Sequence, residues 1–591
     1  MLETAGYNDA ISQLKGLPMK RRDFLKLTSG TIAGTMLAPH LLASAAERNG
    51  AFVHPGILHT SKDIQRMRAG IAAGEAPFVA GLRVLQDNPS TDPNWNPRPL
   101  ERVVRGGEGN NVATMFIDIH RAYQCALVWL VTGSEPHGEA ACRILNAWTA
   151  RLRILTGNAD RFLAAGLHGF QFAAVAEMMR VHPKFDMEAM KRMLARVFFA
   201  LNQDFLFGTP DGSRANHNFA CITNYWANWD LCNIASVIAI GVFCDDKEMF
   251  ELGIEYFKHG GGNGAIYNAI PFIHPCGLGQ WQEAGRDQGH TVMCIGQMAN
   301  ICETAWNQGI DLYGWADNRF LRGAEYVARY NNGHDVPFEL YEWGHGQNCE
   351  RRWQDVVSPA GRGHLRPVWE APYNHYVQRK GLTAPNIAEM LIKTRPEGGP
   401  RPGMHAGSFD QLGFGTLTFT RPKGGGDDAQ LPPGNIADGQ YRFVSRMNGK
   451  ALQPLANASG KTIPVVVAAK NDDMSQVWNV RHLIGGQYEI TNAQSGMSLA
   501  IESNALNMGA NVVAVADRTK EGLIFAFHPT ELVDTDKKLL RKHDFHYIRS
   551  GNSRNVLDIK DSYQADSAPV IQWRYLVSSN QQWILESVAQ K

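Results

Sequence analysis

From Ile436 to Val588 the chain repeats one unit three times, and that repeat restricts the fold more than any other feature. Gly439-Gln440-Tyr441-Arg442-Phe443 returns as Gly486-Gln487-Tyr488-Glu489-Ile490 and again as His546-Tyr547-Ile548. The units close on Gln476-Val477-Trp478, on Phe525-Ala526-Phe527 and on Gln581-Gln582-Trp583. Short apolar alternations parted by turn residues predict strands of a half-buried sheet. A unit of roughly fifty residues cannot bury its own apolar face, so the three must share a core. Trp478, Phe527 and Trp583 are expected in it.

Upstream the pattern is helical. Apolar residues recur at the helical period over Thr114–Val131, Gly138–Leu155, Leu163–Arg180, Met187–Phe207 and Phe219–Phe243. Glu248–Lys258, Arg286–Gln308 and Asn318–Tyr330 continue the series. Short connections such as Thr132–Pro136 imply antiparallel helical neighbours. Residues 331–410 turn rich in Gly, Pro, Trp and His, as loops on a rigid frame do, and Phe414–Phe419 reads as a strand. A breaker-rich linker follows at 422–435. The organisation is multidomain: a signal region over 1–46, a mainly α domain over 47–421, the linker, and an all-β domain over 436–591.

The signal region rests on Lys20-Arg21-Arg22-Asp23-Phe24-Leu25-Lys26, an apolar run Leu27–Leu42, and small residues Ala43-Ser44-Ala45-Ala46. Consecutive arginines ahead of Phe-Leu-Lys look like a twin-arginine export signal, with Met19 a possible start. The expected location is periplasmic or secreted. The apolar run is too short and too rich in Gly and Thr to span a membrane stably. Lys+Arg 58 against Asp+Glu 57 leaves no global field for nucleic acid or an anionic membrane, so anion recognition must be local. Arg351, Arg352, Arg362 and Arg366, set against Asp355 alone, form the most basic local segment. Nine cysteines lie between Cys125 and Cys349 without a C-x-x-C, and read mainly as small buried apolar residues. No Cys/His spacing suits zinc, and no Asp-rich loop suits calcium. Neither a metal nor another cofactor is expected.

The threefold unit resembles the ricin-B β-trefoil over Ile436–Val588. That resemblance implies a sugar site in each repeat: an Asp after an apolar residue, an aromatic platform, and an Asn-Gln near Q-x-W. Only the third repeat is complete, with Leu557-Asp558-Ile559, Gln572-Trp573-Arg574-Tyr575 and Asn580-Gln581-Gln582-Trp583. The first has Leu452-Gln453 and the second Leu499-Ala500 at the Asp position, with Ala469 and Ala514 near the aromatic positions. One live site is implied, in which Asp558 accepts hydrogen bonds from sugar hydroxyls, Trp573 stacks on a ring face, and Asn580 and Gln581 assist.

The stretch Gly279–Tyr313 gathers Gln282, Glu283, Arg286, Asp287 and His290 at the start of one apolar-periodic helix. Arg286, His290 and Met293 stand at i, i+4 and i+7 and so would share a face. A guanidinium, an imidazole and carboxylates at this spacing suit the holding and deprotonation of an anionic substrate. A surface helix with one internal salt bridge would read the same.

Gln282–His290 with Glu303–Tyr313, Cys125–Gly133, and Asn224-Tyr225-Trp226-Ala227-Asn228-Trp229-Asp230 resemble the alginate-lyase-like polysaccharide lyases, over about 54–420. The resemblance implies an incomplete (α/α) toroid and β-elimination on a uronic-acid glycan, an anionic polysaccharide partner. Family members neutralise the sugar carboxylate with Asn and Arg, and use His and Tyr as base and acid. Carried over, Arg286 is the carboxylate clamp. Asn216-His217-Asn218 stands for the Asn-His pair, with His217 as base or neutraliser and Asn228 as the alternative neutraliser. Tyr225, Trp226, Gln282, Glu283 and Arg352 would contact substrate, with Glu283 and Asp287 orienting Arg286 and His290.

The chain departs from the pattern twice. Ile222-Thr223 stands where some members carry the Asn-His, and Met293 stands where a tyrosine is expected. His290 could then be the base, with His375 or Tyr376 supplying the acid from a loop. Two readings stay open beside the lyase: a glycoside hydrolase on the same toroid that uses Glu283 and a second carboxylate, and a secreted carbohydrate-binding protein without catalysis. The residues do not state an oligomeric state.

Overall fold

The computed structural model describes residues 51–591 except 209–215, 423–435, 483–487, 518–522, 530–531, 534–538, 541–544, 552, 554, 575, 577 and 589–591. The region 1–46 expected to be a signal, nearly all of the linker, Gly486-Gln487 and Tyr575 lie outside the described residues.

The longer helices are α1 Ser61–Ala72, α2 Ala76–Gln86, α3 Ala113–Thr132, α4 Glu135–Arg151, α5 Asp160–Met179, α6 Met187–Met193, α7 Ala200–Phe207, α8 Ala227–Cys244, α9 Lys247–His259, α10 Gln288–Asn307, α11 Trp315–Asn331 and α12 Pro385–Thr394. Strands β1 Arg102–Arg105 and β2 Ile154–Gly157 pair in parallel, and β3 Tyr341–His345 pairs antiparallel with β4 Glu350–Gln354. They form a helical toroid in which α3, α5, α8 and α10 are the inner helices. Gly133 at φ 77 ends α3 and returns its N–H to Trp129 O, which turns the chain back into α4. α5 packs on α8, and α8 on both α9 and α10. α5 and α8 are mainly apolar, with 94% and 89% of their apolar windows buried. A helix so poor in solvent-facing polar residues has to be enclosed by its neighbours.

Leu163 and Leu167 of α5, Cys232 of α8 and Met293 of α10 make one small apolar cluster. All four lie within the first turns of their helices, so the three inner helices begin at the same end of the toroid. Their starts form the floor of the candidate site. At that end the backbone departs from the helical period. α8 begins at Ala227, not near Phe219, because His217, Asn218 and Phe219 all take positive φ (53°, 54° and 63°). Asn263 Nδ2 then takes the Thr223 and Tyr225 carbonyls at 2.9 and 2.7 Å, which holds the segment as a loop. A disulfide between Cys221 and Cys349, 128 residues apart, ties this loop to the β3–β4 hairpin. Those two cysteines therefore correct the expectation of plain buried residues, which Cys125, Cys142, Cys232, Cys294 and Cys302 do satisfy.

Two other expectations change. The stretch 187–207 is broken between α6 and α7 by a π turn, Leu194–Phe199. Phe414–Phe419 is no strand: Phe414 stands at φ 64 and Gly415–Thr418 is a helical turn. Arg66 takes the Thr418 and Thr420 carbonyls, so the segment needs no sheet partner.

The C-terminal region is a β-trefoil whose strands join in a twelve-stranded sheet. Three hairpins share one register: Gln453 pairs with Val466, Ala500 with Val513 and Asp558 with Ile571. In each the partner lies thirteen residues on, so the sequence repeat is a structural one. Trp478, Phe527 and Trp583 are fully buried in a common core.

The inner helices approach closely at Gly166. A Cβ there would meet Cys232 Sγ at 2.4 Å and the Asn233 backbone nitrogen at 2.8 Å. Gly166→Ala is expected to lower stability, because overpacking costs about 1–3 kcal/mol against a helix-propensity gain of about 1 kcal/mol. A chemical-denaturation midpoint equal to or above wild type would show that α5 and α8 can part here.

Candidate active site

The site is organised by Glu283, a carboxylate with no exposed surface. It lies in the turn before α10. One oxygen accepts the Asn228 backbone N–H at 2.7 Å and its side-chain amide at 2.8 Å. The other accepts Arg286 Nη1 at 2.9 Å. Glu283 thus joins the start of α8 to the start of α10. Its neighbour Gln282, also buried, accepts the Ala227 N–H at 3.0 Å.

Asp287 is the N-cap of α10 and accepts the His290 N–H at 2.9 Å. The helix therefore starts after Arg286, so Arg286 and His290 do not share a helical face as the spacing suggested. They meet nonetheless, with Arg286 Nη2 3.2 Å from His290 Nε2. His290 Nδ1 lies 2.7 Å from Asp287 Oδ2. Burial would raise the Asp287 carboxyl, but hydrogen bonds from the His290 ring and backbone and the Arg286 charge bring it down to about 2. It stays ionised and orients the imidazole. The His290 side chain is 41% exposed and that of Arg286 23%, so this pair faces solvent while Glu283 behind it does not. The Arg286 guanidinium lies 4.9 Å from the Trp226 ring centre, and Trp226 packs on Trp343 of β3 at 5.2 Å. One aromatic face therefore covers the arginine, and Trp343 backs that ring to extend the apolar surface.

A second wall comes from segments remote in sequence. Ala360 O accepts the Gln288 N–H at 2.8 Å, which lays the 358–366 loop over the start of α10. His364 on this loop is half-buried; burial and the charges of Arg366 and His405 lower its pKa. Arg366 pairs with Asp410 at 3.1 Å. Burial raises the Asp410 carboxyl even though the charges of Arg366, Arg105 and His290 all reach it. Arg366 was already named in the basic segment; Arg105, His364 and Asp410 were not chosen from the sequence, because each sits on a loop or strand end far from the helix motif.

Other sequence-chosen residues stand elsewhere. His217 is fully buried, its Nε2 2.8 Å from Asp230 Oδ1, and the Phe205 ring covers it at 4.7 Å. Gly262 closes the remaining side, since a Cβ there would come within 2.7 Å of His217 Nε2. His217 is thus a core histidine next to half-buried Asn216. Tyr225 is half-buried and its hydroxyl accepts Asn218 Nδ2 at 3.3 Å. Asn228 is buried and donates its backbone N–H and its side-chain amide to Glu283, so it stands behind Arg286 rather than at the surface.

His375 and Tyr376 are buried against Tyr313 and Trp306, near the far end of α10. Thirteen or more residues of helix separate them from His290, or about 20 Å. Burial, with Arg379 and Lys380, pushes the His375 pKa well down, and burial pushes that of Tyr376 well up. Neither can reach a sugar at the groove. Arg352 is exposed on β4 and pairs weakly with Glu350 at 3.4 Å. The basic segment is internally matched in the same way: Arg351 bonds Glu342, Arg362 lies 3.9 Å from Asp335, and Arg366 bonds Asp410. Among the described residues no group of three or more His, Cys, Asp or Glu is placed to hold a metal ion.

In the trefoil, Asp558 accepts Asn580 Nδ2 at 3.0 Å and Gln581 Nε2 at 2.7 Å, beside half-buried Trp573. The first repeat builds the same cradle without the charge: Gln476 Nε2 donates to Gln453 Oε1 at 2.8 Å. By register the second repeat has Ala500 there, with no polar group at all. Position 468, the counterpart of Trp573, is Ala.

A groove of arginine, histidine and aromatic faces on a helical toroid, followed by a trefoil, is the build of a carbohydrate-active protein. The family comparisons agree: residues 89–336 match the family model for alginate lyase, and residues 430–515 that for the ricin-type beta-trefoil lectin domain-like family. A comparison with curated proteins returns no match. Among solved structures, the designed 3-fold symmetric protein ThreeFoil is 26% identical over 26% of this chain and 100% of its own, with a TM-score of 0.23. The exo-beta-1,3-galactanase 1,3Gal43A from Clostridium thermocellum is 21% identical over 27% of this chain and 32% of its own, with a TM-score of 0.23. The Rhizoctonia solani agglutinin is 22% identical over 27% of this chain and 100% of its own, with a TM-score of 0.21.

Burial lifts the Asp558 carboxyl from 3.8 to about 6, against the hydrogen bonds from Gln581 and Asn580. Between those values the folded trefoil holds a proton that the unfolded chain has released. Its contribution to stability is therefore present at low pH and declines as pH rises from about 4 to about 6. Asp558→Asn should remove that slope in denaturation midpoints measured across this range, and a variant that keeps the slope would assign it to another group.

Proposed function

We propose that the protein is an exported polysaccharide lyase that cleaves a uronic-acid-containing glycan by β-elimination, with the third trefoil repeat holding it on carbohydrate. One observation carries this reading: a half-exposed imidazole, fixed by Asp287, stands against an arginine that is anchored from behind by buried Glu283. The alginate lyase match supports the same chemistry. Export is inferred from the arginine-led N-terminus, and the Cys221–Cys349 disulfide suits an oxidising compartment.

Elimination needs the charge of the sugar carboxylate cancelled, because only then does the hydrogen on C5 become acidic enough to leave. Arg286 Nη1 is committed to Glu283, but its Nη2 rests only on a ring nitrogen. A carboxylate is the stronger acceptor for a guanidinium. An arriving uronate therefore draws Nη2 away from His290 and uncovers Nε2. His290 takes the C5 proton, the electron pair forms the C4–C5 double bond, and the C4–O4 bond breaks. The imidazolium returns a proton to the departing oxygen, while Trp226 and Trp343 support the ring. Asn228 and Glu283 act as positioning residues behind the arginine.

The hydrolase alternative would require Glu283 to face the sugar. Both of its oxygens are engaged in the interior, which argues against that role.

Incubation with uronate polymers should generate the ultraviolet absorbance of an unsaturated uronate; reducing ends without that absorbance would favour hydrolysis. Arg286→Lys keeps a cation for Glu283 but loses the second arm, and should lower kcat/KM by about 10²–10³-fold. His290→Asn should lower kcat by about 10²–10⁴-fold with an unchanged denaturation midpoint. Turnover by His290→Asn at the wild-type rate would remove His290 from the reaction.

A further inference from the structure

The groove holds a cation that the elimination chemistry above leaves unused. Arg105 ends β1 and is half-buried, yet among the described residues it donates no hydrogen bond and enters no ion pair. β1 runs parallel to β2, and β2 leads directly into α5. This pairing sets Arg105 above the first turns of α5. Its charge reaches Cys232 in the small apolar cluster at the inner helix starts, and reaches His168 of α5 beside it. It reaches Asp410 as well, whose carboxyl also feels His290. The β1 end that carries Arg105 and the α10 start that carries His290 are thus linked through the apolar cluster at the inner helix starts.

The surrounding charges explain why Arg105 is spare. Arg286 is matched to Glu283, Arg366 to Asp410, and His290 to Asp287. Each carboxylate in the groove already has its cation within hydrogen-bond distance. A half-buried guanidinium without a protein partner keeps its hydrogen-bonding fork open to a ligand. An anion supplied by a ligand would fill it. A carboxylate fits best, since its two oxygens match the guanidinium fork.

We propose that Arg105 is a second carboxylate-binding residue, which holds the acidic group of a sugar neighbouring the one that is cleaved. It makes the groove selective for runs of consecutive uronates over chains in which uronates alternate with neutral sugars. This rests on the elimination reading for the cleaved residue, but the binding claim stands apart from the chemical step.

The test compares full-length wild type, Arg105→Met and Arg105→Lys on a uronate homopolymer and on an alternating uronate–neutral polymer. Elimination is followed in the ultraviolet and binding by titration with homopolymer oligosaccharides. Loss of one charged hydrogen-bonded pair should raise KM on the homopolymer by about 10- to 100-fold in Arg105→Met. kcat should hold, the alternating polymer should be little affected, and Arg105→Lys should recover part of the loss. Equal KM in wild type and Arg105→Met, or an equal loss on both polymers, would overturn the proposal while leaving the lyase reading intact. If wild type eliminates neither polymer, the lyase reading fails and titration decides for Arg105: weaker oligouronate binding by Arg105→Met supports the site, and equal binding overturns it.

Discussion

The candidate active site depends on one buried carboxylate. Glu283 binds the backbone and side chain of Asn228 with one oxygen and the Arg286 guanidinium with the other. A charge removed from water is tolerated only when it is paired and fully hydrogen-bonded. The price of that burial is rigid geometry, since α8 and α10 must begin where Glu283 can reach both. Rigidity here is useful: Arg286 is fixed from behind, so its outward arm points at the groove without the entropy loss of a long free side chain.

The helix α10 separates two polar clusters of opposite character. At its start, Asp287 caps the helix and aims His290 outward, half in water. At its end, Glu303 and Arg379 pair at 2.7 Å in the interior, and His375 stacks on Tyr313 at 3.8 Å. Both clusters hold an arginine, a histidine and a carboxylate, so residue type alone cannot tell them apart. Solvent access does. The far cluster is sealed and its histidine is held neutral by burial and neighbouring cations, whereas the near cluster is open to solvent.

The trefoil repeats a related lesson within one domain. Its three hairpins share a register, yet only the third places a carboxylate where the first has an amide and the second a methyl. The buried aromatics are common to all three repeats, while the glutamine cradle closes on Asp558 in the third and on Gln453 in the first. Burial raises the Asp558 carboxyl against two amide hydrogen bonds, and the other two repeats have no carboxylate at this position to bear that cost.

Much of this was legible in the sequence. The threefold Q-x-W repeat and the helical periods between 113 and 330 defined the two architectures, because burying an apolar face imposes a period of two or 3.6 on any chain. Glu283, Arg286, Asp287 and His290 were legible too, since they lie within eight residues of one another. The sequence could not show which of the equally plausible histidines faces solvent, nor that residues 217–226 leave the helical path under a disulfide from 128 residues away. It could not bring Arg105, His364, Arg366 and Asp410 to one groove. Local pattern records which face of an element is apolar, but the encounter of loop residues separated by hundreds of positions is decided only when the inner helices pack and set their starts side by side.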